Sequence, residues 1–410
     1  MRIIVYEHLS SGGYAGQSIP LCVLSEGFGM LRSIVSDLKS AGHEVTVLLD
    51  DRISKLNPPM DADCFVPILY SQEPEKFLAS VAKINDAVYI IAPETGKILQ
   101  SLVEIVEQTG KNSLNCESKS IKNVADKTIL YNFLKRNDLP TPRTLLFKVS
   151  SSLGDFKETI HGKLNYPVVF KPASGVSCSG LSFVKTEDEV CKAIDKIRSE
   201  TPNSHFIVQE FIEGEAVSVS LLCSKNKAFA ISLNKQIVKI VPPSYVSSYE
   251  GGALPYDHPL KEEAIMVSKK VVELFSGLRG YVGVDLVLTK DKAFVVDVNP
   301  RLTTSYVGLS LVSNFNVAQA SINAVLKDQL PTQNESCGFV YFSKLETFKP
   351  TNSVFQKVAQ MNEVISPPFP LHDNPKTCSL IAGQGASLKD AKLQLEKTKK
   401  HVFRTLNRGK

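Results

Sequence analysis

The fold of this chain is decided by two neighbouring stretches, Gly283-Val284-Asp285-Leu286-Val287-Leu288 and Phe294-Val295-Val296-Asp297-Val298-Asn299-Pro300-Arg301. Both read as apolar strands, and only the short polar segment 289–292 separates them. We therefore predict a β-hairpin that folds Asp285 back beside Asp297 and Asn299. The last two residues alternate by two, so they share one face of their strand.

These three side chains form a set of hard oxygen ligands. Acids inside apolar strands are costly unless they are paired or bound to a metal. Two carboxylates and an amide oxygen suit magnesium, which proteins commonly hold together with nucleotide phosphates. Asp285, Asp297 and Asn299 are therefore candidate metal ligands, with Mn²⁺ as an alternative ion. The competing interpretation is a pair of ordinary surface acids on an edge strand.

A second informative stretch, residues 168–180, reads VVFKPASGVSCSG. An apolar strand delivers Lys171, and a run of small residues follows it. Such a loop lets backbone N–H groups approach a polyphosphate, while the lysine offers a positive charge. The pattern is not the GxxxxGK[ST] loop that opens a helix. A plain hairpin turn remains the alternative.

A third stretch, residues 206–215, reads FIVQEFIEGE and is an apolar strand that ends in a dense acidic group. Exposed backbone after a strand can bind the edge of an adenine ring, and a carboxylate can bind ribose hydroxyls. An acidic turn between strands is the alternative. The three stretches together favour a nucleotide site built on paired strands.

Strands and helices alternate in the first part of the chain. Apolar strand patterns at 2–6, 45–49, 64–67 and 87–91 flank helical segments such as 21–40, and this alternation predicts a parallel sheet covered by helices. We predict an α/β domain over 1–117, an α+β domain over 118–330, and a small C-terminal α+β unit over 331–410 that carries a basic helix.

Composition excludes several classes of protein. The 410 residues include 43% hydrophobic and 22% charged residues, without an apolar run of transmembrane length or a signal-peptide pattern. The eight cysteines lack CxxC spacing, which argues against a zinc site or a disulfide framework. We expect a cytoplasmic protein with free thiols. Residues 387–410 are strongly basic, and we interpret them as a solvated amphipathic helix rather than a nucleic-acid site.

Taken in order, these stretches resemble the ATP-grasp superfamily. The similarity runs from Asp126-Lys127 through Lys171-Pro172 and residues 209–215 to Asp285 and residues 297–301. The N-terminal half is similar to an archaeal subgroup of these enzymes that includes a tyramine–glutamate ligase. The resemblance implies an ATP-grasp fold behind a Rossmann-like pre-ATP-grasp domain, with ATP and Mg²⁺ as cofactors.

The resemblance also implies a role for each matching residue. Lys127 and Lys171 would contact phosphates, Arg301 would hold the transferred phosphate, and Lys171 and Arg301 would be the catalytic pair. Asp285, Asp297 and Asn299 would bind the metal, although the family often has the longer Glu at position 297. The remaining nucleotide contacts would come from the covering loop, the adenine segment and the ribose acid, namely Ser174, Gly175, Ser177, Gly180, Glu210, Phe211, Ile212 and Glu215.

The implied activity is ligation of a carboxylate to an amine through an acyl-phosphate, with release of ADP and phosphate. Glutamate and an amine such as tyramine are the expected small-molecule substrates, and a homodimer is the expected assembly. The alternatives are an ATP-grasp carboxylase or phosphotransferase, and a non-enzymatic nucleotide-binding regulator. A biotin carboxylase would need a biotinylated partner, and this sequence has no AMKM-type acceptor site.

Two regions are candidates for substrate binding. The small residues after the first strand lie where open α/β sheets place ligands, and the polar, aromatic segment 234–252 has the character of a binding loop. A simple strand-to-helix turn and an ordinary surface loop are the respective alternatives. The candidate residues are Ser11, Gly12, Gly13, Asn234, Lys235, Tyr249, Glu250 and Gly251.

Overall fold

The computed structural model describes residues 1–151, 153–175, 178–201, 204–371 and 375–407. Its N-terminal part confirms the predicted parallel sheet. The strands are β1 (Arg2–Glu7), β2 (Glu44–Asp50), β3 (Cys64–Ile68), β4 (Ala87–Ile91) and β5 (Asn112–Ser113), in the order β3-β2-β1-β4-β5. The helices are α1 (Leu21–Ser40), α2 (Asp51–Ser54), α3 (Pro74–Ala82) and α4 (Ile98–Gln108). The strand order reverses between β1 and β4, which opens a crevice at their carboxyl ends.

A small antiparallel sheet follows, in the order β6-β9-β7-β8. Its strands are β6 (Thr144–Lys148), β7 (Val168–Pro172), β8 (Ser182–Val184) and β9 (His205–Glu210). The helices of this region are α5 (Ser118–Ala125), α6 (Lys127–Arg136), α7 (Leu153–His161) and α8 (Val190–Glu200). Phe147, Phe170 and Phe206 stack in the core of this unit, with ring centroids 5.5–5.7 Å apart between neighbours. The packed core fixes β7, which carries Lys171.

An eight-stranded sheet forms the rest of the chain, in the order β14-β13-β10-β11-β12-β15-β17-β16. Its strands are β10 (Glu215–Ser224), β11 (Lys227–Lys239), β12 (Ser248–Leu254), β13 (Gly280–Leu288), β14 (Ala293–Asn299), β15 (Phe339–Phe348), β16 (Val364–Ser366) and β17 (Lys376–Gly385). Its helices are α9 (Lys261–Leu274), α10 (Tyr306–Val312), α11 (Val317–Lys327), α12 (Asn352–Ala359) and α13 (Leu388–Asn407).

The C-terminal segment shares this sheet, because β15 pairs directly with β12. The division of the chain at 117 and 330 remains a prediction. The C-terminal segment 331–410 adds three strands, β15, β16 and β17, to the eight-stranded sheet and does not form a sheet of its own. The basic helix α13 buries Ala391, Leu395 and Val402 beside β15 and β17, which confirms its amphipathic character. Among the described residues, none of the helices has the length and apolar content to cross a membrane.

The predicted hairpin is confirmed as β13 and β14. Asp285 lies directly opposite Asp297, and Gly283 lies opposite Asn299. Thr289 holds the turn, because its backbone N–H donates to the Lys292 carbonyl oxygen at 2.9 Å and its hydroxyl accepts from the Lys292 N–H at 3.0 Å. The ladder shifts register just after Asp285. The hairpin therefore presents both acids on one side of the sheet.

Asp37 ties the N-terminal domain to helix α10. Its carboxylate accepts hydrogen bonds from the Tyr306 hydroxyl at 2.5 Å and from the Ser310 hydroxyl at 2.7 Å. Burial raises the pKa of Asp37 to about 6, against the smaller, opposite effect of these two hydrogen bonds. A carboxyl whose folded pKa exceeds its unfolded value favours folding when protonated. This stabilisation is complete below the unfolded pKa and is lost as the pH rises through about 6.

We expect the wild type to lose about 3 kcal/mol of stability relative to Asp37→Asn between about pH 4 and about pH 7, because two pKa units correspond to that free energy. Denaturant unfolding of both proteins across this range measures the difference, and all other titrating groups cancel in it. Parallel stability profiles for the two proteins would contradict the prediction.

Candidate active site

One cavity of about 820 Å³ lies where the three sheets meet. The parallel sheet and α1 contribute Glu7 and Glu26, the small antiparallel sheet contributes Lys171, and the hairpin contributes Asp285 and Asp297. The predicted site residues that line this cavity are Lys127, Lys171, Gly175, Glu210, Phe211, Ile212, Lys235, Tyr249, Asp285, Asp297, Asn299 and Arg301. Stretches predicted separately from the sequence therefore converge on one space.

Asp285 is the most constrained of the candidate metal ligands. Its Oδ1 accepts from Gln236 Nε2 at 2.9 Å, and its Oδ2 accepts from Asn299 Nδ2 at 3.0 Å. Burial, followed by the charge of Asp297 across the hairpin, raises the pKa of Asp285 to about 6. The charge of Asp297 thus opposes ionisation of Asp285, and a cation bound beside the two side chains would offset this effect.

Asp297 is paired with Lys127, whose Nζ donates to Asp297 Oδ2. Lys127 is the first residue of α6, and Asp126 caps that helix by accepting from the backbone N–H groups of Thr128 at 2.8 Å and Ile129 at 3.1 Å. The cap fixes where the helix begins. It therefore also fixes the position from which Lys127 reaches the hairpin.

These residues fit a magnesium ion that is shared with phosphates. Asn299 donates through its nitrogen, so its amide oxygen is available as a ligand. Among the described residues, no three His, Cys, Asp or Glu side chains cluster as a metal site. The donor set is therefore two carboxylates and an amide, and a bound ion would need further oxygens from a ligand. Mg²⁺ typically binds in this way.

Lys171 faces the same acids from β7. Its Nζ donates to Gln209 Oε1 at 2.7 Å, and Gln209 Nε2 donates to the Thr144 hydroxyl at 2.9 Å. This chain of hydrogen bonds orients the lysine across two strands. Burial, followed by the nearby charge of Lys127, lowers the pKa of Lys171 to about 8. An anionic ligand would relieve this cost by restoring the charged form.

The loop after Lys171 is only partly described. Gly175 lines the cavity together with Cys178 and Ser179. The backbone N–H of Gly180 donates to Glu200 Oε2 at 2.8 Å, which ties the end of the loop to α8. Ser174 and Gly180 do not line the cavity, and Ser177 lies outside the described residues.

The far end of the cavity is formed by Glu210, Phe211 and Ile212. Arg143 binds the Glu210 carboxylate through Nε and Nη2, both at 3.1 Å. Glu215 lies nearby, where its Oε2 accepts from Lys235 Nζ at 2.9 Å and from the Tyr256 hydroxyl at 2.6 Å.

Both acids at this end are thus fixed by neighbouring donors. Lys235, predicted as a substrate residue, pairs with Glu215, the predicted ribose-binding acid. The structure therefore places Lys235 at the end of the cavity formed by the predicted adenine and ribose segments.

The predicted substrate residues after β1 lie outside the cavity. Ser11 is fully buried and donates its hydroxyl to the Leu48 carbonyl oxygen, so it braces the turn. Gly12 faces Ile68, and Gly13 packs against the His8 ring. The neighbouring residues that do line the cavity are Glu7, the last residue of β1, and Leu9 in the turn.

The residues of the second predicted substrate segment, 234–252, do not all face the cavity. Tyr249 lines the cavity. Asn234 is fully buried and donates to the hydroxyls of Ser218 at 3.2 Å and Ser220 at 2.9 Å, so it serves the packing of strands. Glu250 is exposed and accepts from the Ser248 hydroxyl. Gly251 is required where β12 crosses β15, because a Cβ there would lie 2.2 Å from the Phe342 carbonyl oxygen.

Sequence reasoning missed two acids of the N-terminal domain. Glu7 is buried, and its Oε2 accepts from Ser10 N at 2.8 Å and from the Ser10 hydroxyl at 2.6 Å. Glu26 lies on α1 and is also buried. The sequence offered one indication of this site, Gly27, because a glycine inside a helix is unfavourable unless close packing requires it. A Cβ at Gly27 would lie 2.4 Å from Glu7 Oε1, so the glycine admits that carboxylate.

Glu26 joins three parts of the chain at the cavity. Its Oε1 accepts from Lys344 Nζ on β15 and its Oε2 from the Thr304 hydroxyl after β14, both at 2.8 Å. The Lys344 ammonium also lies 5.8 Å from the centre of the Tyr249 ring. This end of the cavity is therefore shaped jointly by α1, β15 and the loop after the hairpin.

Arg301 projects into the cavity beside the hairpin acids. Its guanidinium contacts Glu94, and its Nη1 donates to the Leu302 carbonyl oxygen at 2.9 Å. Burial has the largest single effect and lowers the pKa of Arg301, but the charge and hydrogen bond of Glu94, together with the charges of Asp285 and Asp297, raise the pKa overall. The predicted phosphate-binding arginine is therefore charged and anchored. Its anchor, Glu94, was not predicted from the sequence.

Comparison with known proteins agrees with this architecture. Residues 43–121 match the model of a pre-ATP-grasp domain, and residues 124–305 match the model of an ATP-grasp domain. The tyramine–L-glutamate ligase of Methanocaldococcus jannaschii is 26% identical over 330 residues, which cover 80% of this chain and 90% of the relative. The D-alanine–D-alanine ligase of Carboxydothermus hydrogenoformans is 29% identical over 221 residues, which cover 50% of this chain and 68% of the relative.

A solved structure supports the fold alone. The crystal structure of an ATP-grasp superfamily protein from Archaeoglobus fulgidus superposes with a TM-score of 0.62 at 23% sequence identity. The superposition covers 93% of this chain and 99% of the other.

Proposed function

Because the chain belongs to the ATP-grasp superfamily, we propose that it is an ATP-dependent ligase that joins a carboxylate to an amine through an acyl-phosphate. One observation carries this proposal. Lys127, which is paired with Asp297, and Lys171 line the same cavity as the acids of the hairpin, with the Arg301 guanidinium beside them. Fixed cations opposite a candidate metal site are what phosphoryl transfer requires.

The proposed nucleotide position follows from the lining of the cavity. The backbone of Glu210–Ile212 would meet adenine, Glu215 would bind ribose, and the loop 174–180 would cover the phosphates. Lys127 and Lys171 would contact phosphate oxygens. When bound by Asp285, Asp297 and Asn299, Mg²⁺ would neutralise charge on the phosphates, and Mn²⁺ is the alternative ion.

The reaction would proceed in two balanced steps. An oxygen of the substrate carboxylate attacks the γ-phosphorus, a new P–O bond forms, and the bond to the β-phosphate oxygen breaks to release ADP. The amine then attacks the acyl carbon, the bond to phosphate breaks, and the nitrogen loses a proton. Arg301 would hold the phosphoryl group in both steps. The residues act by positioning and charge, without a nucleophilic side chain.

The end of the cavity away from Glu210 supports an amine as one substrate. Its wall is apolar at Leu9, Val23 and Met30 and carries the buried carboxylate of Glu7, while the buried carboxylate of Glu26 is already paired with Lys344. An apolar wall with an acid suits an amine that has a carbon body. We propose glutamate as the acid and tyramine as the amine, by similarity to the relative that carries both names.

Product formation tests the proposal directly. The protein is incubated with ATP, Mg²⁺ and pools of amino acids and amines, and ADP, phosphate and the new amide are measured, the last by mass spectrometry. We expect ADP release to require both an acid and an amine. Release with an acid or an alcohol alone would favour a phosphotransferase, and release that depends on bicarbonate would favour a carboxylase. No turnover with any pool would favour the nucleotide-binding regulator.

The proposed setting is the cytoplasm, with the protein as a homodimer that acts on small molecules. All eight cysteines are free thiols in the structure, which is in keeping with a reducing compartment. The basic helix α13 uses its apolar face for packing within the chain.

A further inference from the structure

Glu94 reaches the proposed reaction centre from the N-terminal domain. It follows the end of β4, where the parallel sheet opens its crevice, and it precedes the short turn Thr95–Lys97. Its partner Arg301 is 207 residues later in the sequence. The contact is therefore made only when the N-terminal domain packs against the hairpin.

The geometry of the pair is a two-point contact between planar groups. Glu94 Oε1 lies 2.9 Å from Arg301 Nε, and Glu94 Oε2 accepts from Arg301 Nη2 at 3.0 Å. The side chains are only 7% and 13% exposed, respectively. A hydrogen bond at Nη2 with a close ion contact at Nε restrains the plane of the guanidinium as well as its place.

The contact leaves part of the guanidinium for a ligand. Arginine has five N–H groups. One on Nη2 donates to Glu94 Oε2, and one on Nη1 donates to the Leu302 carbonyl oxygen, while Nε lies 2.9 Å from Glu94 Oε1 without a hydrogen bond. The N–H groups that remain belong to a side chain that lines the cavity beside Asp285 and Asp297.

We propose that Glu94 is a positioning residue that holds the guanidinium plane of Arg301 toward the transferred phosphoryl group. This role rests on the proposed function. It makes the N-terminal domain part of the phosphate site, because the acid that aims the arginine comes from the parallel sheet. The competing role for Glu94 is a structural contact between domains, which would affect folding and leave catalysis unchanged.

The test compares Glu94→Gln with Asp37→Asn in the full-length protein. Both changes turn a carboxylate of the N-terminal domain into an amide. Both changes also weaken a contact between the N-terminal domain and the segment that follows β14. Asp37 makes its contact with Tyr306 and Ser310, outside the cavity. We expect Glu94→Gln to lower kcat about 100-fold, as the loss of one aligned donor does, with the KM for ATP changed less than about 3-fold. Asp37→Asn should keep kcat within about 2-fold.

A double-mutant cycle separates positioning from folding. Arg301→Lys removes the planar guanidinium that Glu94 aligns. In that background we expect Glu94→Gln to lower kcat by less than about 3-fold, since residues that act as a unit are not additive. Equal effects of Glu94→Gln in both backgrounds, or an effect equal to that of Asp37→Asn, would overturn the proposal.

Phosphate binding decides the question even if no ligase substrate is found. Calorimetry with ADP, Mg²⁺ and inorganic phosphate measures the affinity for phosphate without turnover. We expect Glu94→Gln to weaken phosphate binding about 10-fold and to leave ADP binding within about 2-fold of the wild type. Unchanged phosphate affinity, or absence of phosphate binding by the wild type, would refute the role of Glu94. Absence of turnover alone would refute only the ligase assignment.

Discussion

Asp297→Asn is expected to lower ligase kcat about 1,000-fold while the protein stays folded. The change removes one of the two carboxylates that face each other across the hairpin and takes the anionic partner from Lys127. An amide holds a hard divalent cation far less tightly than a carboxylate does, and a neutral residue leaves the positive charge of Lys127 unbalanced. Both effects act at the place where phosphate charge would be stabilised.

The measurement joins activity with metal binding. Mn²⁺ binding followed by electron paramagnetic resonance in the presence of ADP should weaken at least about 10-fold in Asp297→Asn, as expected for a lost carboxylate ligand. Asp291→Asn is the matched control, because it makes the same change on the exposed turn of the same hairpin. An Asp297→Asn protein with full ligase activity would disprove the metal assignment.

The hairpin was predictable because its information is local. Apolar alternation and the short turn fix the pairing of β13 with β14, and the pairing alone brings Asp285 to Asp297. The parallel sheet was predictable for the same reason, since each strand and helix carries its own pattern. Motif order then identified the superfamily, and with it the residues of the phosphate-binding end.

The acids supplied by the N-terminal domain could not be predicted in this way. Glu94 meets Arg301 across 207 residues, and Glu26 meets Lys344 across 318. Such pairs depend on how domains pack, which no local pattern records. Several predicted substrate residues lie outside the cavity for a related reason. A polar residue such as Asn234 near a functional strand can face either side of the sheet, and here it faces the buried hydroxyls of Ser218 and Ser220.

The role of the C-terminal segment was also not predictable from local patterns. A strand pattern at 339–344 and a basic helix predict a small C-terminal unit, without indicating which strand it would meet. In the structure, β15 pairs with β12 and carries Lys344 to Glu26 at the edge of the cavity. Strand pairing between distant segments is set by the tertiary fold. The segment therefore contributes to the proposed substrate end of the site, which its sequence did not indicate.

Lys171→Met is expected to lower kcat/KM about 1,000-fold and to stabilise the nucleotide-free protein. Methionine keeps the length of the side chain and removes the charge that would face the phosphates, which accounts for the loss of activity. The gain in stability follows from the lowered pKa of Lys171, about 8. A lysine whose folded pKa lies below its unfolded value disfavours folding at neutral pH, and the cost disappears as the pH rises toward the unfolded value.

The stability gain is the more discriminating half of this prediction. The lost hydrogen bond to Gln209 offsets part of it, so we expect a net gain of about 1–2 kcal/mol at pH 7 that shrinks as the pH approaches about 10. Lys185→Met, at an exposed position just after β8, is the matched control and should change neither quantity. Denaturant unfolding at both pH values, with ATP affinity by calorimetry, supplies the measurement. A Lys171→Met protein that is less stable and still binds ATP tightly would mean that Lys171 supports the fold and not the phosphates. A Lys171→Met protein that is more stable but no longer binds ATP would show that the positive charge of Lys171 destabilises the nucleotide-free fold and is needed to bind the polyphosphate.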